Sequence, residues 1–178
     1  MKSLRVPISF LFTVSQKIAA WSGAAAALLS ILLVAVIVSD VALRYLVGET
    51  SVWIVEVEWH IFALIFLLGA AYTLRRDAHV RVDVFFQMLS QRRRSWLNLM
   101  GHLLLLIPFC LFMIPPAWDY FLQSWIVSEA SGDPGGLPAL YPIKAFIPMA
   151  FLLLLIQAGT EVVRLFLDLF FPEFLPNS

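Results

Sequence analysis

The sequence predicts an all-α integral membrane protein with four transmembrane helices, and three observations predict it. Of 178 residues, 61% are hydrophobic and 13% charged, against about 45–50% and about 25% in soluble domains. A water-soluble fold of this size cannot hide so much apolar surface. Four segments approach the ~20 apolar residues that a helix needs to cross a bilayer. Regular alternation of polar and apolar residues, the mark of a membrane barrel, is missing, and lipid offers backbone groups no water, so each span must satisfy its own hydrogen bonds as a helix.

The first span covers residues 18–39 and the second 52–74, whose apolar stretch from Trp59 is extended by SVWIVEVE. The third covers 96–118. Pro108 removes a backbone donor in its middle and should kink it, and Pro115-Pro116 is expected to end the regular helix near the membrane surface. The fourth covers 145–163. Residues 1–17 read as a short interfacial amphipathic segment. A cleaved signal peptide fits them less well, because Gln16-Lys17 interrupts the apolar run and a full span follows at once. The 178 residues form a single membrane domain, with a turn-rich outer loop at 119–144 containing SGDPGGLP. Gly23, Gly69 and Gly101, with the run Ala24 to Ala27, either permit close helix contacts or reflect the ordinary abundance of small residues in membrane helices.

Charge sets the expected orientation. Ten basic residues (Lys2, Arg5, Lys17, Arg75, Arg76, Arg81, Arg92, Arg93, Arg94 and Arg164) fall on one side of the spans, and only Arg44 and Lys144 on the other. The basic side is cytoplasmic by the positive-inside rule, and an even number of spans then places both termini in the cytoplasm. Asp40, Glu49, Glu56, Glu58, Asp119, Glu129 and Asp133 mark the opposite side. The zero net charge gives no basic face for nucleic acid.

Chemistry is hard to place. Cys110 sits in an apolar run and reads as a packing residue. His60 and His102 lie near opposite ends of their spans, differing in depth by about 15 Å at the rise of a helix, and His79 is in the inner link, so the histidines do not suit one haem. No Glu-x-x-His pair suggests a carboxylate-bridged metal. Ser22 and Ser30 lack a base and read as backbone-bonded hydroxyls. Ionisable groups gather at span ends, whereas a transport pathway needs them near the midplane. No catalytic residue, cofactor or metal is therefore expected; the chain reads as an accessory or scaffold subunit and not an enzyme. At the outer link, Asp40 and Arg44 share a helix face at i, i+4. Arg44 is expected to pair with Glu56 or Glu58, or else to snorkel to headgroups. Lys144, which opens the fourth span beside the outer acids, is expected to pair with one of them or else to snorkel likewise.

The order RY, W-x-x-E, an apolar span and then GAAYTLRRDAHVRVD resembles the small permease subunit of tripartite ATP-independent periplasmic (TRAP) transporters, the DctQ-like family. Arg44-Tyr45, Trp53 with Glu56, Gly69 to Ala71, and His79, Arg81 and Asp83 carry the likeness. So do Ser128, Glu129, Ser131, Gly136-Leu137-Pro138, Lys144 and Pro148 further on. It covers about residues 18–164 and departs at Leu46-Val47, where the family often has an aromatic two residues after the Arg. The resemblance implies a four-span scaffold partner of a larger multi-span permease in a bacterial inner membrane. A periplasmic binding protein would deliver the solute, usually an organic acid, and an ion gradient, typically sodium, would drive uptake. Substrate and sodium sites are attributed to the large subunit in that family. Glu129, Ser131, Asp133 and Lys144 are then candidates for contact with a partner. Within RRDAHVRVD, Arg75 and Arg76 read as membrane anchors. An extended strand would put His79, Arg81 and Asp83 on one face and the valines on the other, as a structural latch or as a solvated loop. Two other classes fit the composition: a haem- or quinone-linked membrane anchor subunit, and a structural or assembly membrane protein.

Overall fold

The computed structural model describes residues 2–46, 48, 51–76 and 88–171. Among them the chain is helical, with no strand. Helix α1 covers Lys2–Leu46, α2 Val52–Arg75, α3 Gln91–Gly101, α4 Ile107–Ile126 and α5 Tyr141–Phe170; a five-residue π-helical segment, His102–Leu106, joins α3 to α4. Four helical stretches are long and apolar enough to cross a membrane: Phe12–Leu46, Val52–Arg75, Gln91–Ile126 and Tyr141–Phe170.

Three features differ from the sequence-based expectation. First, α1 does not begin at Ile18 but runs unbroken from Lys2, with Phe12, Ser15 and Ala19 buried. At about 1.5 Å per residue its 45 residues reach about 68 Å, well beyond a hydrocarbon core of about 30 Å. The helix must therefore tilt or project past the lipid. Second, Pro115-Pro116 does not end a helix; α4 continues to Ile126, and the outer loop shortens to 127–140. The proline φ is helical, and membrane helices tolerate the lost donors where neighbours re-satisfy the freed carbonyls. Third, the disturbance expected at Pro108 takes the form of the π-helical segment just before it. In an α-helix the carbonyl of Leu104 would seek the N–H that Pro108 lacks, and the wider π register falls where that bond is missing.

Helix α5 is the centre of the bundle. It packs against α1, α2, α3, the π segment and α4, and it contributes Lys144, Pro148, Ala150, Leu154, Gln157, Ala158 and Glu161 to the buried set. Leu154 and Ala158 meet Leu74 of α2 and Cys110 of α4 in the core cluster. Cys110 is fully buried, which its small, weakly polar side chain allows. The α1–α2 seam depends on a small residue: a Cβ on Gly23 would overlap the ring of Tyr72. Gly69 faces Ala26 at ordinary contact distance, and Gly101 faces open space, so of these three glycines Gly23 alone is required by a close approach. Large side chains such as Leu28, Ile31, Phe62, Phe66, Leu104 and Phe112 point outward, as expected of surfaces that meet lipid or another membrane subunit.

One polar chain crosses the half of the bundle away from the 127–140 loop; after the expected orientation, the loop end is called outer and the opposite end inner. Ser15 Oγ donates to Gln157 Oε1 at 2.8 Å, Gln157 Nε2 donates to Glu161 Oε1 at 3.1 Å, and Arg164 lies 3.6 Å from Glu161 Oε2. It ties α1 to α5 where apolar packing alone would leave the register of two smooth helices weakly specified.

Candidate functional site

The outer end gathers the site residues that the sequence placed far apart. Helix α4 stops in a Schellman arrangement: Ser128 takes a left-handed φ of 49°, its N–H bonds to the carbonyl of Trp125, and the Glu129 N–H reaches that of Ser124. The loop then folds on itself. Ser131 N–H bonds to Leu137 O at 2.9 Å, Gly136 N–H to Asp133 O at 3.0 Å and Leu140 N–H to Glu129 O at 2.8 Å.

Glu56, one turn into α2, clasps this loop. Its carboxylate accepts from the Ser131 hydroxyl on one oxygen and from the Leu137 N–H, at 2.6 Å, on the other. The Ser131 oxygen also accepts from the Asp133 N–H at 3.1 Å. Gly136 permits the approach, because a Cβ there would strike both Ser131 and Glu56. His60 closes the turn below: its Nδ1 is 2.5 Å from the Glu56 carbonyl, so Nδ1 carries the proton and donates.

Lys144, at the start of α5, is buried, forms an ion pair with Glu129, and lies 4.1 Å from the centroid of the Tyr120 ring. A buried ammonium needs such partners. The Lys144 ammonium that hydrogen-bonds to Glu129 holds that carboxyl below its usual 4.5. The expected pairing of Lys144 with an outer acid is thus present, and the acid is Glu129.

Arg44 corrects the sequence reading. Its partner is Asp40, at 2.5 Å on the same helix, and neither Glu56 nor Glu58. The i, i+4 geometry places the two groups together without help from another element, while Glu56 is occupied by the loop. Tyr45 is exposed at the end of α1 and Trp53 half-exposed at the start of α2, where amphipathic aromatics suit an interface. His79, Arg81 and Asp83 lie outside the described residues, as does the latch expected of them.

A cleft of about 510 Å³ opens beside the clasp, lined by Val52, Val55, Glu56, Trp59, His60 and Asp133 among others. Asp133 is exposed at its rim. Among the described residues, no three His, Cys, Asp or Glu side chains converge as metal ligands. The clasp itself went unrecognised in the sequence. Glu56 and Ser131 are 75 residues apart, and the only local signal was a Ser and a Gly-Gly pair in one loop opposite a helix that begins with acids.

Comparison with known proteins agrees with this architecture. The sequence model of the family described as "Tripartite ATP-independent periplasmic transporters, DctQ component" matches residues 33–168, more than half of the chain. The C4-dicarboxylate TRAP transporter small permease protein DctQ of Vibrio cholerae is 26% identical over 83 residues, which cover 47% of this chain and 35% of that relative. The match thus spans about a third of the relative's length.

Proposed function

We propose a scaffold role in solute uptake for this chain, which belongs to the DctQ component family of tripartite ATP-independent periplasmic transporters. The single observation that carries the reading is the family match over residues 33–168, which takes in the end of the first span, all of the second and third, nearly all of the fourth and the clasped outer loop. The chain serves as the small membrane subunit beside a larger permease. A periplasmic binding protein delivers the solute, an organic acid, and an ion gradient, most simply of sodium, drives its entry. Both termini lie in the cytoplasm, which the gathering of Lys and Arg at one end of the spans supports.

The division of labour follows from where the polar groups are spent. Glu56, Glu129, Lys144, Glu161 and Asp40 are each bonded to another residue of the same chain. Groups so engaged suit a fixed frame better than a solute path, which needs ionisable groups that bind and release. The outward apolar faces of α1, α2 and α4 supply the surface for the larger subunit. At the outer end, Glu129, Ser131 and Lys144 act by shaping the loop, and the exposed Asp133 is the residue of that group best placed to touch a binding protein.

Reconstitution tests this. The chain should copurify with the large permease of its transporter, and proteoliposomes should take up solute only when both membrane subunits, the binding protein and a sodium gradient are present. Uptake by liposomes holding the large subunit alone would overturn the scaffold role. Asp133→Lys should weaken the dependence of uptake on binding-protein concentration while leaving copurification intact.

A further inference from the structure

The seam between α1 and α2 is tight where Gly23 meets Tyr72 and widens toward the outer end. There it opens into a groove of about 280 Å³, lined by Leu33 and Ile37 of α1 and by Glu58, Trp59 and Phe62 of α2. Glu58 is the one acid in an otherwise apolar lining. We propose that this groove takes a basic side chain, Arg or Lys, carried by a transmembrane helix of the larger permease. This deepens the scaffold role proposed above and depends on it, adding which face docks and by what chemistry.

Depth makes an unpaired acid costly here. Helix α2 has 24 residues, about 36 Å at the rise of a helix, a little more than a hydrocarbon core of about 30 Å. Centred in the bilayer, it puts Trp53 at one interface, Arg75 at the other and Glu58 about 8 Å from the midplane. Ionisable residues at such depth face protein or water and pair with another group. Glu58 finds none in its own chain. Among the described residues it makes no hydrogen bond or ion pair, and its Oε1 is buried without a partner. The two cations of the outer end are spent elsewhere, Arg44 on Asp40 and Lys144 on Glu129. The charge of the groove is therefore complementary to a cation brought from outside.

The surroundings suit a protein partner. Trp59, Phe62 and Phe66 stand at i, i+3 and i+7 and are all exposed, so α2 carries an aromatic ridge beside the acid. Aromatic side chains concentrate at protein interfaces, and a face built for acyl chains has no use for a carboxyl group. The aliphatic stem of an Arg or Lys would lie on Leu33, Ile37 and Phe62. Its charged end would meet Glu58, with the Trp59 ring alongside. A second copy of this chain fits less well, because a twofold interface through the groove would bring one Glu58 toward the other.

The test is coexpression of the full chain with the large permease of its transporter and copurification in mild detergent. The parent chain should hold the permease. Glu58→Gln should lower the permease retained at least tenfold, while thermal unfolding of the chain alone stays unchanged, because Glu58 makes no bond within it. With photoreactive benzoylphenylalanine in place of Phe62, illumination should join the chain to the permease, and the joined permease segment should carry an Arg or Lys within one helical turn. Exchanging that residue for Glu should restore the permease to Glu58→Lys. A parent chain that does not hold the permease overturns the scaffold role and this proposal with it. Where the parent does hold it, four results overturn the groove alone: retention indifferent to Glu58→Gln, a chain that Glu58→Gln destabilises by itself, adducts only with lipid or with a second copy of this chain, and a joined segment without a basic residue whose exchange rescues Glu58→Lys.

Discussion

Replacing Gln157 by Leu removes the hub of the polar chain between α1 and α5. The side chain is 1% exposed and makes two bonds, to Ser15 at 2.8 Å and to Glu161 at 3.1 Å. Hydrogen bonds between membrane helices are worth on average about 0.6 kcal/mol and at most about 1.7, because the unfolded chain in lipid finds other partners. Two such bonds give about 1.2 kcal/mol. Leaving the Ser15 hydroxyl and a Glu161 oxygen without that partner adds an unsatisfied-group cost of about 1–3 kcal/mol. That cost is cut because Arg164, 3.6 Å away, still faces the carboxylate. The expected loss is about 2 kcal/mol, read by unfolding in mixed micelles of rising denaturing-detergent fraction. Ser15→Ala should cost less, since it leaves the Gln157–Glu161 bond intact. The double variant should show a coupling of about 0.6–1.7 kcal/mol. A Gln157→Leu protein as stable as the parent, with no coupling to Ser15, would refute the claim that this chain of bonds fixes the helix register.

Three further outcomes follow from the packing. Gly23→Ala drives a methyl into the Tyr72 ring and should destabilise by about 1–3 kcal/mol; Tyr72→Ala in the same chain should relieve most of that penalty, and simple additivity would argue against the contact. Gly136→Ala should push Ser131 off Glu56 and speed proteolytic cutting of the outer loop by about tenfold or more, the response expected of a locally opened segment. Glu129 should make the loop acid-sensitive. Its folded pKa lies below the usual 4.5, so its contribution to stability is complete above about that value and disappears as pH falls through the folded pKa. Loop protection against hydrogen exchange should therefore fall in that acid range, and Glu129→Gln should reduce the pH dependence, leaving the part due to the Glu56 carboxylate that clasps the same loop.

The spans were legible because the bilayer imposes one rule on composition and length, and that rule is local. Lys144 was half legible: beside the outer acids it had two choices, an acid or the headgroups, and the fold supplies the acid, Glu129. Arg44 shows where the reading failed. Three carboxylates were within plausible reach, and the nearer i, i+4 partner, Asp40, prevailed because it requires no tertiary contact. Glu56, which had looked available, is taken by a loop 75 residues away, a pairing that only the fold creates. The two prolines at 115 and 116 misled for a different reason: the rule that ends helices at proline is calibrated in water, where a broken helix end is solvated, and in lipid the broken end costs more than the missing bonds.

The distribution of bonds also bears on movement. A part that shifts during transport needs two arrangements of similar free energy, and contacts that differ between them. Here the outer end is closed by a bidentate clasp from α2 to the loop and by an ion pair from the loop to α5, while the inner end is joined by Ser15–Gln157–Glu161 and by Ser95–Asp168. Helix α5 takes part in three of these four links and packs against every other helix. Sliding α5 relative to α1 or α3 would break polar bonds inside the bundle without an evident substitute. Such cross-bracing agrees with the proposed scaffold role, and it leaves the apolar outward faces, which lack polar register marks, as the surfaces that role would use for assembly.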